Sequence, residues 1–338
     1  MANVVFHPSP AERSSTAEPS RARARISRFA LAMAGETLFL MALGSATRVM
    51  NAGLACPDWP LCYGVLVPHR QMNLQVFLEW FHRLTASSMG IFAIALAVLA
   101  WWYRRALPRW TPWAASLALA LVVFQGVLGG LTVTELLRFD IVTAHLGTAL
   151  LFFVTLLSIG VALMPHQGMG TAGKLSWLGL GAVLLVYLQS ILGALVASQW
   201  ALHQCLSDSG LCLVMHSHIA GVVPPTVATL TLVIVAWRTP ALHPALRRLA
   251  SLAGGLVLLQ ILLGVATFKL RLQVEPLTVS HQAIGAALLG TLVAFTVLAL
   301  RDAPVSAIST PPLPTTSTAA ESFASNTVAG DHTSGQPA

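Results

Sequence analysis

The sequence predicts an all-α polytopic membrane protein of eight transmembrane helices, arranged as two pseudo-symmetric four-helix bundles. Three observations carry that prediction. Of 338 residues, 56% are apolar and only 9% charged, where an ordinary soluble domain has roughly a quarter charged. Apolar windows of membrane-spanning length recur eight times. The first four windows can also be laid over the last four.

The windows fall at 29–47, 74–103, 113–134, 141–164, 176–199, 213–236, 246–268 and 277–300. With the N-terminus inside, thirteen of the nineteen Lys and Arg residues fall on inner segments. The outer loops hold Arg48, Arg70, Arg138, Lys269 and Arg271, and Arg83 lies within a span. The positive-inside rule then puts both termini in the cytoplasm of a plasma-membrane protein. The net charge of +7 reads as topology and lipid contact, so no nucleic-acid partner is needed. Residues 1–28 read as a polar, Arg-rich cytoplasmic segment, and 301–338, rich in Ser, Thr, Pro and Ala, as a disordered cytoplasmic tail. Between them lie an N-terminal half, 29–164, and a C-terminal half, 176–300.

The repeat is read from matched polar and small residues. In the third helix of each half, Gln125-Gly126-Val127-Leu128-Gly129 answers to Gln260-Ile261-Leu262-Leu263-Gly264, with Thr132 matching Thr267. His145 and His281 open the fourth helices, and Gly44 and Gly193 each precede a cysteine, Cys56 or Cys205, by 12 residues. In the second helices, His82-Arg83-Leu84-Thr85-Ala86 is set against His216-Ser217-His218-Ile219-Ala220. That alignment selects His216 over His218, since residues two apart on a helix point about 200° apart.

Each half thus carries two histidines near the outer end of its bundle. Ionisable groups are costly in lipid and mark function, and neutral imidazole is an axial ligand of heme iron. The expectation is two bis-histidine heme sites, His82 with His145 and His216 with His281. Separations of 63 and 65 residues within these pairs lack the short spacings of zinc sites.

All four cysteines lie in outer loops, and local pairing gives Cys56 with Cys62 and Cys205 with Cys212. An oxidising outer compartment permits disulfides. A loop staple and a redox-active pair both fit the pattern.

The halves differ in charge. Glu79 stands three residues before His82 and Arg83 directly after it, whereas Leu213 and Ser217 occupy the matched positions. A carboxylate beside a heme in a low-dielectric site can exchange protons. Glu79 is therefore the expected catalytic side chain, Arg83 a charge partner for a heme, and the second half a store or conduit of electrons.

The run Thr47-Arg48-Val49-Met50-Asn51-Ala52-Gly53-Leu54-Ala55-Cys56-Pro57-Asp58-Trp59-Pro60-Leu61-Cys62-Tyr63-Gly64, followed by Glu79-Trp80-Phe81-His82-Arg83, resembles the signature of the heme A synthase family. The resemblance implies an integral membrane oxidoreductase that converts the C8 methyl of heme O to the formyl group of heme A for terminal oxidases. It implies substrate heme at His82 and His145, a heme b cofactor at His216 and His281, and Glu79 in catalysis. Implied partners are the farnesyltransferase that makes heme O and an unnamed electron donor; a homo-oligomer is left open. Ser217 stands where the family pattern has an Arg. The rival readings are a bis-histidine cytochrome that only transfers electrons and a heme-binding module for oxidase assembly.

Overall fold

The computed structural model describes residues 10–197, 210–270 and 274–302. These lie within one compact unit, Met1–Pro304; a second unit, Val305–Ala338, is outside the described residues. Helices are α1 (Pro10–Val49), α2 (Leu74–Trp102), α3 (Trp110–Thr134), α4 (Phe139–Leu163), α5 (Leu175–Ala197), α6 (Gly210–Ala220), α7 (Val223–Arg238), α8 (Pro244–Lys269) and α9 (Glu275–Arg301). No strand occurs among the described residues. Eight helical stretches are long and apolar enough to cross a membrane, the sixth formed by α6 and α7 together.

In lipid every backbone amide must be satisfied within the protein, which leaves helices as the solution for apolar runs of this length. The observed ends fall within a few residues of the predicted windows. The Arg-rich segment before the first window is helical too, continuous with α1 from Pro10. The predicted tail starts later than 301. Arg301 donates to the carbonyls of Val161 and Met164, and the Asp302 carboxylate, fully buried, accepts from the amides of Met169, Thr171 and Ala172. The remainder of that tail lies outside the described residues.

The sixth span holds a break that the window reading missed. Pro224 and Pro225 have no N–H to give to the preceding turn, and Val222 N reaches Ile219 O at 3.4 Å, three residues back. The His218 carbonyl loses its helical partner and is taken instead by Gln189 Nε2 of α5, at 2.7 Å.

Contacts close two rings. Helix α1 packs on α2, α2 on α3, α3 on α4 and α4 on α1; α5 packs on α6 and α7, α7 on α8, α8 on α9 and α9 on α5. The rings join where α9 meets α1 and α4, and α4 meets α5. The joining helices α4 and α9 are the most buried spans. Small residues allow this approach: a Cβ on Gly290 of α9 would stand 2.8 Å from Phe153 of α4, and one on Gly179 of α5 would stand 2.5 Å from Thr296 of α9.

Candidate functional site

The first half is organised by the loop between α1 and α2. Helix α1 stops where Asn51 takes a left-handed φ of 55° and Ala52 N turns back to Thr47 O, a C-terminal cap that Asn tolerates. Helix α2 starts where the Asn73 side chain accepts from Val76 N. Between them Cys56 and Cys62 form a disulfide and are both buried. Asp58 makes the tight turn beyond it: its carboxylate accepts from the amides of Tyr63 (2.6 Å) and Gly64 (2.8 Å). Those bonds, Gly64's first, hold the Asp58 carboxyl below the usual carboxylate range.

Glu79 and Arg83 fasten this loop to α2. Glu79 is 4% exposed; Oε2 accepts from Cys56 N at 2.7 Å, while Oε1 pairs with Arg83 at 2.5 Å. Arg83 also donates to the carbonyls of Asp58, Leu61 and Cys56. Its guanidinium is thus occupied by the loop and by Glu79, a holding role that the spacing to His82 did not reveal.

Behind the loop lies a cavity of about 650 Å³, walled mainly by the first ring and bordered by Ala194 and Ala197 of α5 and Gln282 of α9. Glu79, His82, Arg83 and His145 all line it, so four of the predicted site residues converge. Arg48, at the end of α1, lines it too and donates to the carbonyl of Ala197. The imidazoles are seated against glycines: a Cβ on Gly44 would stand 2.8 Å from His82 Cε1, and one on Gly129 3.5 Å from His145 Cε1. The Nδ1 atoms of both histidines are buried without a hydrogen-bond partner, and Gln125 Nε2 donates to the His145 carbonyl.

In the second half the structure does not bring the expected pair, His216 and His281, together. His218, not His216, stands beside His281, with ring centroids 6.5 Å apart and planes perpendicular. A Cβ on Gly193 would meet His218 Cε1 at 2.9 Å, and one on Gly264 would meet His281 Cε1 at 2.9 Å. His216 is on the exposed side of α6, as the roughly 200° offset between the two requires. The alignment on Ala86 and Ala220 set the register two residues wrong. A better signal was present: Trp101 Nε1 donates to Ser116 Oγ and Trp237 Nε1 to Ser251 Oγ. Trp101 and Trp237 are 136 residues apart, as are His82 and His218. In this register Met215 and Ile219 replace Glu79 and Arg83, so the asymmetry of charge persists.

Gln189 and Glu36 escaped the sequence reading, and Gln260 entered it only as a mark of the repeat. Gln189 contacts His218 Nδ1 at 3.0 Å and Gln260 contacts His281 Nε2 at 3.4 Å. Glu36, partway along α1, accepts from Ser88 Oγ of α2 at 3.1 Å. The Cys205–Cys212 pairing lies outside the residues whose side chains are described.

Among the described residues no three His, Cys, Asp or Glu side chains converge as a metal cage. The available donors are imidazole pairs. The partnerless buried Nδ1 atoms of His82, His145 and His281, and the glycines beside all four rings, suit imidazole pairs that would hold the iron of a heme.

Residues 27–293 match the cytochrome oxidase assembly protein family, COX15-CtaA. The chain belongs to this family. Within the COX15-CtaA family the similar proteins include the heme A synthase of Shewanella oneidensis, 26% identical over 307 residues that cover 76% of this chain and 91% of that one. The heme A synthase of Caulobacter vibrioides is 29% identical over 315 residues, covering 76% and 90%. The Rhizobium etli heme A synthase is 30% identical over 194 residues, covering 47% and 52%. The COX15-CtaA match takes in both rings and both histidine pairs.

Proposed function

We propose that the chain is a membrane oxidoreductase that converts heme O to heme A, with its substrate in the first half and a heme b cofactor in the second. Relatives named heme A synthase support the activity. One observation carries the division of labour. The His82–His145 cavity holds a buried carboxylate, Glu79, anchored by Arg83 and Cys56 N–H, whereas Met215 and Ile219 stand in the matching positions beside His218.

In this reading His82 and His145 bind the iron of the substrate heme, and His218 and His281 bind heme b. The bound heme b supplies one-electron redox chemistry. Glu79, held in place by Arg83 and the Cys56 N–H, accepts a proton released as the methyl group is oxidised. Arg83 positions Glu79 and closes the loop over the cavity; Arg48, which also lines it, offers a cation to the acidic edge of a porphyrin. The disulfide fixes the backbone from which Cys56 N–H projects. The two rings are related by a pseudo-symmetric repeat, the loop end faces outward, and both termini are in the cytoplasm of the plasma membrane. The farnesyltransferase that makes heme O is the upstream partner.

The test is extraction of hemes from cells that depend on this chain. Loss of the chain, or His82→Ala, leads to accumulation of heme O and absence of heme A. Normal heme A with His82→Ala and Glu79→Ala combined would refute the reading, and an electron-transfer cytochrome would leave heme O at its normal level.

A further inference from the structure

The cavity of the first half is deeper than its polar site. On α2 the lining extends from His82 to Gly90, and on α4 from His145 to Phe152. On the two helices running the other way it extends from Gly44 back to Thr37 and from Gly129 back to Val122. Seven or eight residues at 1.5 Å per residue amount to about 10–12 Å on each of the four walls. The space therefore continues past the imidazoles toward the middle of the span.

This lower compartment differs in character from the upper one. Its walls include Leu40, Met41, Met89, Val122, Ala149 and Phe152, with two amides among them, Gln125 and Gln282, whose Nε2 atoms donate to the carbonyls of His145 and Met41. Its hydroxyls are turned to their own helices, Thr37 to the carbonyl of Met33 and Ser87 to that of Arg83. Gly90 and Gly126 line it as well, and a Cβ on either would meet nothing within 4 Å. Most glycines lining helix contacts here permit a close approach, as Gly44, Gly147 and Gly160 do. Gly90 and Gly126 border open space instead. An apolar void in a packed bundle forfeits dispersion contacts on every wall, a loss that an aliphatic occupant would recover.

We propose that this compartment receives the isoprenoid chain of the heme substrate, and that Gly90 and Gly126 make the site selective for heme O over protoheme, which lacks that chain. The inference rests on the reading that His82 and His145 hold the substrate. Four walls of equal depth below one pair of imidazoles suit a ligand with a rigid polar head and one long apolar arm. The protein would then recognise its substrate by the arm that distinguishes it, at a distance from the atom that reacts.

The experiment is a titration of the purified full chain in lipid nanodiscs with heme O and, separately, with protoheme, followed by the Soret band of the first site. Gly126→Leu and Gly90→Leu fill the compartment, and His82→Ala removes a proposed ligand. Overpacking of this kind should weaken heme O binding roughly tenfold or more while leaving protoheme affinity within about twofold of wild type. Unchanged heme O affinity in both leucine variants overturns the proposal. So does equal weakening of both porphyrins, which would mean general damage to the site. Undiminished heme O binding by His82→Ala would instead overturn the assignment of the substrate to this half. The second-half heme spectrum reports that each variant is folded.

Discussion

Glu79 Oε2 accepts a hydrogen bond from Cys56 N at 2.7 Å, so a carboxylate in a membrane helix is held by the backbone of a disulfide-bonded cysteine. The bond links the loop that covers the cavity to the side chain proposed to work within it.

Glu79→Gln keeps the size of the side chain but not its charge or basicity. Heme A formation should fall by about 10²-fold or more, the usual scale for losing a general base, with heme O retained in the protein. Heme extraction and chromatography measure both. Wild-type conversion rates in this variant would leave Glu79 with a structural role only.

Arg83→Ala leaves Glu79 buried with one donor fewer and removes the donor to the carbonyls of Asp58, Leu61 and Cys56. Breaking a buried pair this way costs about 3–5 kcal/mol. The variant should therefore show a lower melting temperature and faster proteolysis between Cys56 and Asn73. Arg83→Lys should recover only part of the loss, because a lysine cannot present the guanidinium's planar fork of donors.

His218→Ala and His216→Ala give opposite outcomes. The first should lose the second-half heme, seen as a decrease in heme per protein and in the Soret band; the second should retain it. Gly193→Ala should resemble His218→Ala, since its methyl would stand 2.9 Å from the imidazole. Heme loss in His216→Ala with retention in His218→Ala would reverse the assignment.

At the opposite end of the bundle His166 and His243 stack edge to face, 4.7 Å apart. Burial first, then the proximity of His243 and Arg301, depresses the His166 pKa below its ordinary value, with Asp302 opposing. The unfolded chain therefore binds more protons than the folded one as pH drops through about 6.5. Stability should decline from pH 7.5 to 5.5, read as a falling melting temperature, and His166→Gln should flatten that slope. An identical slope in the variant would assign the effect to other groups.

The spans were legible because a chain in lipid has few options: charge depletion and window length placed all eight. The Cys56–Cys62 bond and the Glu79, His82 and Arg83 neighbourhood were also readable, from residues close in sequence. What escaped depended on three-dimensional partners. The choice between His216 and His218 turns on which helix face meets Gly193, and a short alignment anchored by one alanine does not determine a face. The break before Pro224 was visible as a residue type, but its consequence, a His218 carbonyl handed to Gln189, requires α5 alongside. Arg83 looked like a cofactor's charge partner because its loop acceptors lie 22 to 27 residues away.

His145 and His281 ride on α4 and α9, the two interior spans that pack against each other where Phe153 covers Gly290. If iron sits at both imidazoles, the gap an electron must tunnel is set by the innermost seam of the protein rather than by its lipid-facing helices. Bilayer thickness, loop chemistry and oligomer contacts could all vary while that gap, and with it the transfer rate, stayed constant.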